Sequence, residues 1–528
     1  MRVKVNRAGT NLWDVQVLGR TSGDIKQGDV LLLCIYARGS SDDPSLSEAT
    51  GTAYLQRNSG AYDKVVSLPL AASSEWKQYF AAVQSTLTLP SGQHEFTIHL
   101  AAGAQTIDIG GVSFINYGNS RTLAEMPRTK ITYVGAEPDA PWRADAAAAI
   151  DKIRKADLTV HVVNADGDPI PGAAVHVVQK RHEFGFGTAV AADGLNTAGD
   201  NGDKYREVVR TWFNKAVLEN DLKWPGWEQN RNRALNAIAW LRDNNLTVRG
   251  HNLVWPNWQY LPADVQKLSG DPDALRKRVL DHIAEEVAAT RGQLVEWDVL
   301  NEPVTNTDLQ KILGEQEMAA WFRKTREYDN WPMLFVNDYN IIEAGGLDRG
   351  HQDGYYNTIR KLIDWGAPLD AIGIQGHFDS RLTPPTRVWA ILDRFAQFEK
   401  PIEITEFDIN LDDEALQAQY TRDLMTAVFS HPSVSGFLMW GFWEGRHWLP
   451  RAAMFRRDWS LKPNGQTYYD LVYKEWWTDV RGETADDGAF AVRGFKGDYE
   501  IQATVGDRVV TVPVTLDARG SEVTVKVE

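Results

Sequence analysis

Across the first 120 residues, apolar and polar positions alternate in short runs. The runs at 30–36, 94–100 and 106–109 are separated by Gly, Ser, Asn and Asp turns. That period of two at sandwich-like spacing predicts an antiparallel β-sandwich over 1–120. The pattern then lapses. Residues 121–156 turn to Arg, Pro and Ala, with Glu137-Pro138-Asp139-Ala140-Pro141 ahead of an alanine-rich charged stretch, which predicts a linker and a short helix. Alternation returns at 158–163 and 173–178 around the turn Asn164-Ala165-Asp166-Gly167-Asp168-Pro169, predicting a hairpin. A lone hairpin cannot be stable. Four further alternating runs, at 488–492, 498–503, 509–514 and 523–527, can supply its partners. Segments 157–182 and 478–528 therefore predict one small β-sandwich split around an inserted domain at 183–477.

Inside the insert, strand-like and helix-like patterns alternate. Strands are predicted at 184–190, 216–218, 247–251, from 295, at 333–336, at 371–374, from 402 and at 436–440. Windows such as 274–289 and 413–430 carry a 3.6-residue period. Eight strands, their helices and a length near the usual ~250 residues predict a (β/α)8 barrel. A doubly wound open sheet is the alternative, and no glycine-rich phosphate loop supports it.

Composition narrows the function classes. A chain of 528 residues is too long for one ordinary core. Its formal net charge of −15 argues against nucleic acid or an anionic membrane surface as a partner, but a neutral polymer meets no such obstacle. The single Cys34 excludes an intrachain disulfide framework and a cysteine-based metal cluster. No run approaches the ~20 apolar residues of a membrane span. Residues 1–16 show no signal peptide. Tryptophan is abundant, at 20, and Trp255, Trp297, Trp440, Trp443 and Trp448 stand beside polar residues near predicted strand ends. Flat aromatic faces suit the apolar faces of pyranose rings as well as a protein core.

In a barrel, the residues following each strand share one face, where such folds keep their chemistry. Here they include Glu219, Asn220 and Lys223; His251 and Trp255; Asn301 and Glu302; Asn337, Asp338 and Tyr339; Gln375 and His377; Glu406 and Asp408; Trp440 and Trp448. Glu302 and Glu406 each close an apolar strand, and two carboxylates on one face point to glycosidic-bond hydrolysis.

Three stretches resemble glycoside hydrolase family 10, the endo-β-1,4-xylanases. They are Gly250-His251-Asn252-Leu253-Val254-Trp255, Trp297-Asp298-Val299-Leu300-Asn301-Glu302 and Ile404-Thr405-Glu406-Phe407-Asp408, in the family's order and followed by Trp440 and Trp448. The resemblance implies Glu302 as general acid/base and Glu406 as nucleophile of a retaining hydrolase. It also implies a site completed by Glu219, Asn220, Lys223, His251, Trp255, Asn301, Gln375, His377, Trp440 and Trp448. Tyr339 joins this set as a candidate sugar contact and Asp408 as a candidate catalytic partner. Asn301 is placed to meet the sugar 2-hydroxyl, and His377 to orient Glu406 and keep it ionised. No cofactor or metal is implied, the partner is xylan or a related polysaccharide, and a location outside the cytoplasm is expected.

Pro256, Phe407 and the stretches 224–228 and 443–450 depart from the family pattern. A substituted xylan, a mixed-linkage glucan or an algal polysaccharide therefore stays open beside xylan, as does a non-catalytic glycan-binding protein. Over 1–120, Trp13-Asp14-Val15-Gln16-Val17, Ala37-Arg38, Glu75-Trp76-Lys77 and Asp108-Ile109-Gly110-Gly111-Val112 resemble jelly-roll carbohydrate-binding modules. Tyr36, Tyr54, Trp76 and Tyr79 are candidates there for a sugar platform, with core or surface packing as the competing role.

Overall fold

A computed structural model of the chain describes residues 1–43, 46 and 48–528. The chain forms two compact units. One is built from 1–140, 340–354 and 379–391, the other from 141–339, 355–378 and 392–528.

The first unit contains a β-sandwich of two four-stranded antiparallel sheets. One sheet orders Arg2–Val5, Gln105–Asn116, Val30–Ser41 and Lys77–Gln84, and the other Gln16–Arg20, His94–His99, Ala49–Arg57 and Lys64–Ala72. Alternation decides which residues meet: Leu31, Leu33 and Ile35 point inward onto Ala53, Leu55, Leu68 and Ile98. Tyr36 points the other way. Its ring stacks on Trp76 at 4.8 Å and 16°, while Arg38 lies 5.0 Å from the Trp76 ring. Gly110 sits at a bulge opposite this pair, where an added Cβ would come within 2.9 Å of both rings. Tyr79 is buried in the core, and Tyr54 packs on His99 with Lys64 over its ring.

The second unit opens with the helix Trp142–Arg154 and contains a smaller sandwich and a closed barrel. The two strands expected to form a hairpin, Lys155–Val163 and Ala174–His182, lie in opposite sheets instead. The first pairs with Ala489–Phe495 and, in parallel, with Ser521–Lys526; the second pairs with Asp479–Glu483 and Gly497–Val505. After the turn closed by the Asn164 side chain, the chain pairs back only as far as Ile170 N–H to Val162 O. It then crosses at Pro171 and Gly172, which has φ +70°. The physical reason is the core. Leu158, Val160 and Val162 face Val175, Val177 and Ile501 across it, which buries both apolar faces together.

Eight parallel strands close the barrel: β1 Gly185–Val190, β2 Lys215–Leu218, β3 Thr247–Val254, β4 Glu296–Asn301, β5 Met333–Asp338, β6 Ala371–Phe378, β7 Ile402–Ile409 and β8 Val434–Met439, with β8 pairing back onto β1. A helix follows each strand. Sequence-local caps start several of them, as where Asp271 accepts from Ala274 N–H and Asp413 from Ala415 and Leu416 N–H.

One level of the barrel interior is ionic where branched apolar side chains usually pack. Lys215 reaches Glu296 at 2.5 Å and Glu403 at 2.6 Å, and Arg249 reaches both at 3.0 Å and also binds Asp298. Gly436 makes room for this cluster, since a Cβ there would lie 2.0 Å from Glu403 Oε1. Two cations against three carboxylates leave each charge a partner, the condition under which buried ions are tolerated.

Candidate active site

The acid at the end of β4 is held by its backbone before its side chain is considered. Glu302 takes φ +52°, the left-handed region that a non-glycine residue keeps only under constraint, and its N–H donates to Asn337 O at 2.7 Å. Its carboxylate accepts from Gln375 Nε2 at Oε1 and from Trp255 Nε1 and Asn306 Nδ2 at Oε2, each at 3.1 Å. Burial pushes Glu302 up to about 7. The nearby Asp338 and Glu406 charges add to that push, and the Gln375 and Trp255 hydrogen bonds oppose it. The group is therefore an acid that keeps its proton near neutrality.

Glu406, inside β7, stands in the opposite environment. Oε1 accepts from Asn337 Nδ2 at 2.8 Å, Oε2 lies 3.2 Å from His377 Nε2, and His251 Nδ1 is 3.9 Å from Oε1. Burial alone would raise this carboxyl, but His251, His377 and Lys223 outweigh it and hold Glu406 below its ordinary value. His377 is itself driven upward. Burial opposes its charge, yet Asp408, 3.1 Å from Nδ1, and Glu406 overcome that cost. An imidazolium with a carboxylate beside each nitrogen, hydrogen-bonded to Glu406 through Nε2 and ion-paired with Asp408 at Nδ1, keeps Glu406 ionised. Trp448 Nε1 donates to Asp408 at 2.7 Å, and Asp298 anchors His251 Nδ1 at 2.8 Å.

The remaining predicted residues form the walls. Lys223 donates to Asn220 Oδ1 at 3.0 Å and lies 5.3 Å from the Trp255 ring. Burial lowers Lys223 against the pull of Glu406, Glu219 and Glu302; burial also raises Glu219, against Lys223 and Asn220. Trp255 stacks on Tyr260 at 3.6 Å and 15°. Trp440 meets His251 and His377 edge-on at 5.3 and 6.2 Å, and Trp448, 52% exposed, meets His377 at 5.1 Å. Tyr339 places its hydroxyl 3.1 Å from Thr305 Oγ1 on the loop after β4.

Residues 175–472 match the model for glycosyl hydrolase family 10, more than half of the chain. The chain belongs to that family. Among its relatives, anti-sigma-I factor RsgI6 of Acetivibrio thermocellus is 33% identical over 72% of this chain and 49% of its own length. Endo-1,4-beta-xylanase 1 of Arabidopsis thaliana is 30% identical over 67% of this chain and 37% of its own. The chain thus spans half or less of these curated relatives. Xylanase 10B of Thermotoga petrophila, solved with xylobiose, superposes with a TM-score of 0.51 at 28% identity, covering 56% of this chain and 95% of that one.

Apart from Pro256, which nothing in the structure explains, the departures from the family 10 pattern resolve physically. Phe407 turns into the core between Phe378 and Phe437, at 6.0 and 5.0 Å. The tryptophan-rich stretch after Lys223 is the first turn of the helix Trp224–Asp243. Trp224 and Trp227 are buried there, Trp224 flat on His282 at 3.9 Å. Trp297 and Trp443 are buried too, Trp443 stacked on Trp459 at 4.5 Å. Among the tryptophans singled out at strand ends, Trp255 and Trp448 retain the most open surface. Sequence reasoning placed Asn337 on the site face and quoted Asp298 within the acid/base motif without giving either a role, and it did not single out Asn306 or Tyr260. Asn337 carried one signal, a carboxamide at the end of β5, while the contacts of the others depend on long-range register.

Proposed function

We propose that this chain is a retaining endo-β-1,4-xylanase acting by double displacement. The observation that carries the reading is the opposed tuning of two carboxyls on one barrel face: Glu302 raised to about 7 and Glu406 lowered. In the first step a Glu406 oxygen attacks the anomeric carbon as the C–O bond to the leaving sugar breaks, and Glu302 gives its proton to that oxygen. The resulting glycosyl ester carries no charge on Glu406. Part of the repulsion on Glu302 disappears, although burial, its largest cause, remains. In the second step Glu302 takes a proton from water as the water oxygen attacks the same carbon and Glu406 leaves as carboxylate.

Xylan is favoured as the polymer by the xylanase relatives and the xylobiose-bound neighbour. Against a second reading, glycan binding without turnover, stands the intact pair of carboxylates with their hydrogen-bonded supports. Reducing-sugar release from xylan and mixed-linkage glucan, with Glu302→Ala and Glu406→Ala as controls, tests both. Loss in both variants is expected, and full activity in either overturns the assigned roles. Proton NMR of the first-formed anomer is expected to show retention. We also propose that the N-terminal sandwich binds glycan through the exposed Tyr36 and Trp76 rings.

A further inference from the structure

One polar group in the cleft is left without a protein partner. Asn301 is buried, and among the described residues its Nδ2 makes no hydrogen bond. A buried amide donor left unmade is costly, so such a group in a native site calls for a ligand or a reason. Its other end is occupied: Asn301 Oδ1 accepts from Asn337 Nδ2 at 3.1 Å.

Asn337 is fully buried and its carboxamide is fully used. The two N–H groups go to Asn301 Oδ1 and, at 2.8 Å, to Glu406 Oε1, while Oδ1 accepts from Thr405 Oγ1 at 2.8 Å. Rotating this amide by half a turn would set its oxygen against a carboxylate and an amide oxygen. Gly373, its register partner on β6, leaves room for the observed placement, because a Cβ there would lie 2.5 Å from Asn337 Oδ1. Asn337 O also receives the Glu302 N–H. One residue thus touches the nucleophile, the amide beside it and the backbone of the acid.

We infer that Asn337 is a positioning residue that couples recognition of the sugar 2-hydroxyl to the state of the nucleophile. It holds Asn301 with its oxygen turned away, so that the free Nδ2–H points to the hydroxyl, and the same amide steadies the ionised Glu406. The inference rests on the hydrolase reading above. Thr405 and Gly373 have no contact with sugar in this scheme and act by fixing the Asn337 amide.

The test uses the full chain, an aryl β-xylobioside and its analogue lacking the 2-hydroxyl on the reacting ring. With the parent substrate, Asn337→Ala is expected to lower kcat/KM about 10²-fold, the scale of losing one transition-state donor. With the 2-deoxy analogue the loss is expected to shrink about tenfold, and the acid limb of the pH profile to move upward as Glu406 loses a donor. Equal losses on both substrates with an unmoved acid limb overturn the inference. Thr405→Val keeps Asn337 while freeing its amide, and is expected to show the same substrate-selective loss at smaller size. It carries the test if Asn337→Ala fails to fold, and an equal loss on both substrates in Thr405→Val overturns the inference as well. Full activity in Glu406→Ala would instead strike the hydrolase reading itself, so the two failures are distinguishable.

Discussion

Glu302 and Glu406 bear the same functional group, and their difference is made entirely by what surrounds them. Glu302 is raised chiefly by burial and restrained by donors from Gln375 and Trp255. Gln375→Ala removes a hydrogen bond that favours the anion, so the Glu302 pKa rises further. The basic limb of kcat/KM, expected near pH 7 in the parent, should therefore move to higher pH, which a pH profile on a soluble xylo-oligosaccharide checks. A shift to lower pH would contradict the assignment of that limb to Glu302. Both carboxylates stood out in the sequence as acids following short apolar runs, a local pattern, although only Glu302 lies past the end of its strand: β7 continues through Glu406 to Ile409. Asn337, Thr405 and Gly373 were not, because their meaning lies in register across β5, β6 and β7, which no short window contains.

At the level of elements, periodicity identified strands and helices well but not which strands lie side by side. Lys155–Val163 and Ala174–His182 have the alternation of a hairpin, yet each needs an apolar face opposite it more than it needs the other alongside. Buried ionic pairing was also invisible, since Glu296 and Glu403 read as ordinary polar interruptions in β4 and β7.

The helix Pro272–Thr290 holds a further buried acid. Glu286 is fully buried and, among the described residues, neither oxygen is hydrogen-bonded; His282, 3.3 Å away, is lowered to about 3 by burial. Burial raises Glu286 well above its ordinary value. The folded state then binds a proton that the unfolded chain releases first, so the ionisation part of the group's cost is absent at low pH and grows as pH rises from its unfolded value toward its folded one, on top of the pH-independent cost of its unmade hydrogen bonds. Glu286→Leu should stabilise the protein more at pH 8 than at pH 4, by about 1–3 kcal/mol. Urea unfolding at the two pH values checks this, and equal effects at both would refute the titration account.

For the whole molecule, the acidic balance and the sandwich in the first unit bear on the same question, which surface a polymer meets. With net charge −15, adhesion to a neutral glycan must come from stacking and hydrogen bonds. Tyr36 and Trp76 offer the means: both rings are partly open, they stack within 16° of parallel, and Gly110 is the residue that lets them lie against the strand. Arg38 packs over Trp76 while bonded to Asp108, so its charge is already answered within the sheet. Retention of the full chain on insoluble xylan should therefore change little with salt, because screening acts on charges and not on ring contacts. Trp76→Ala should weaken that retention about tenfold, the effect of losing roughly 1.4 kcal/mol of aromatic contact. The same substitution should leave hydrolysis of a soluble oligosaccharide unchanged, because none of the groups that tune Glu302 and Glu406 belongs to the sandwich. A depletion assay beside a turnover assay separates the two surfaces, and undiminished retention in Trp76→Ala would remove the platform from the binding mechanism.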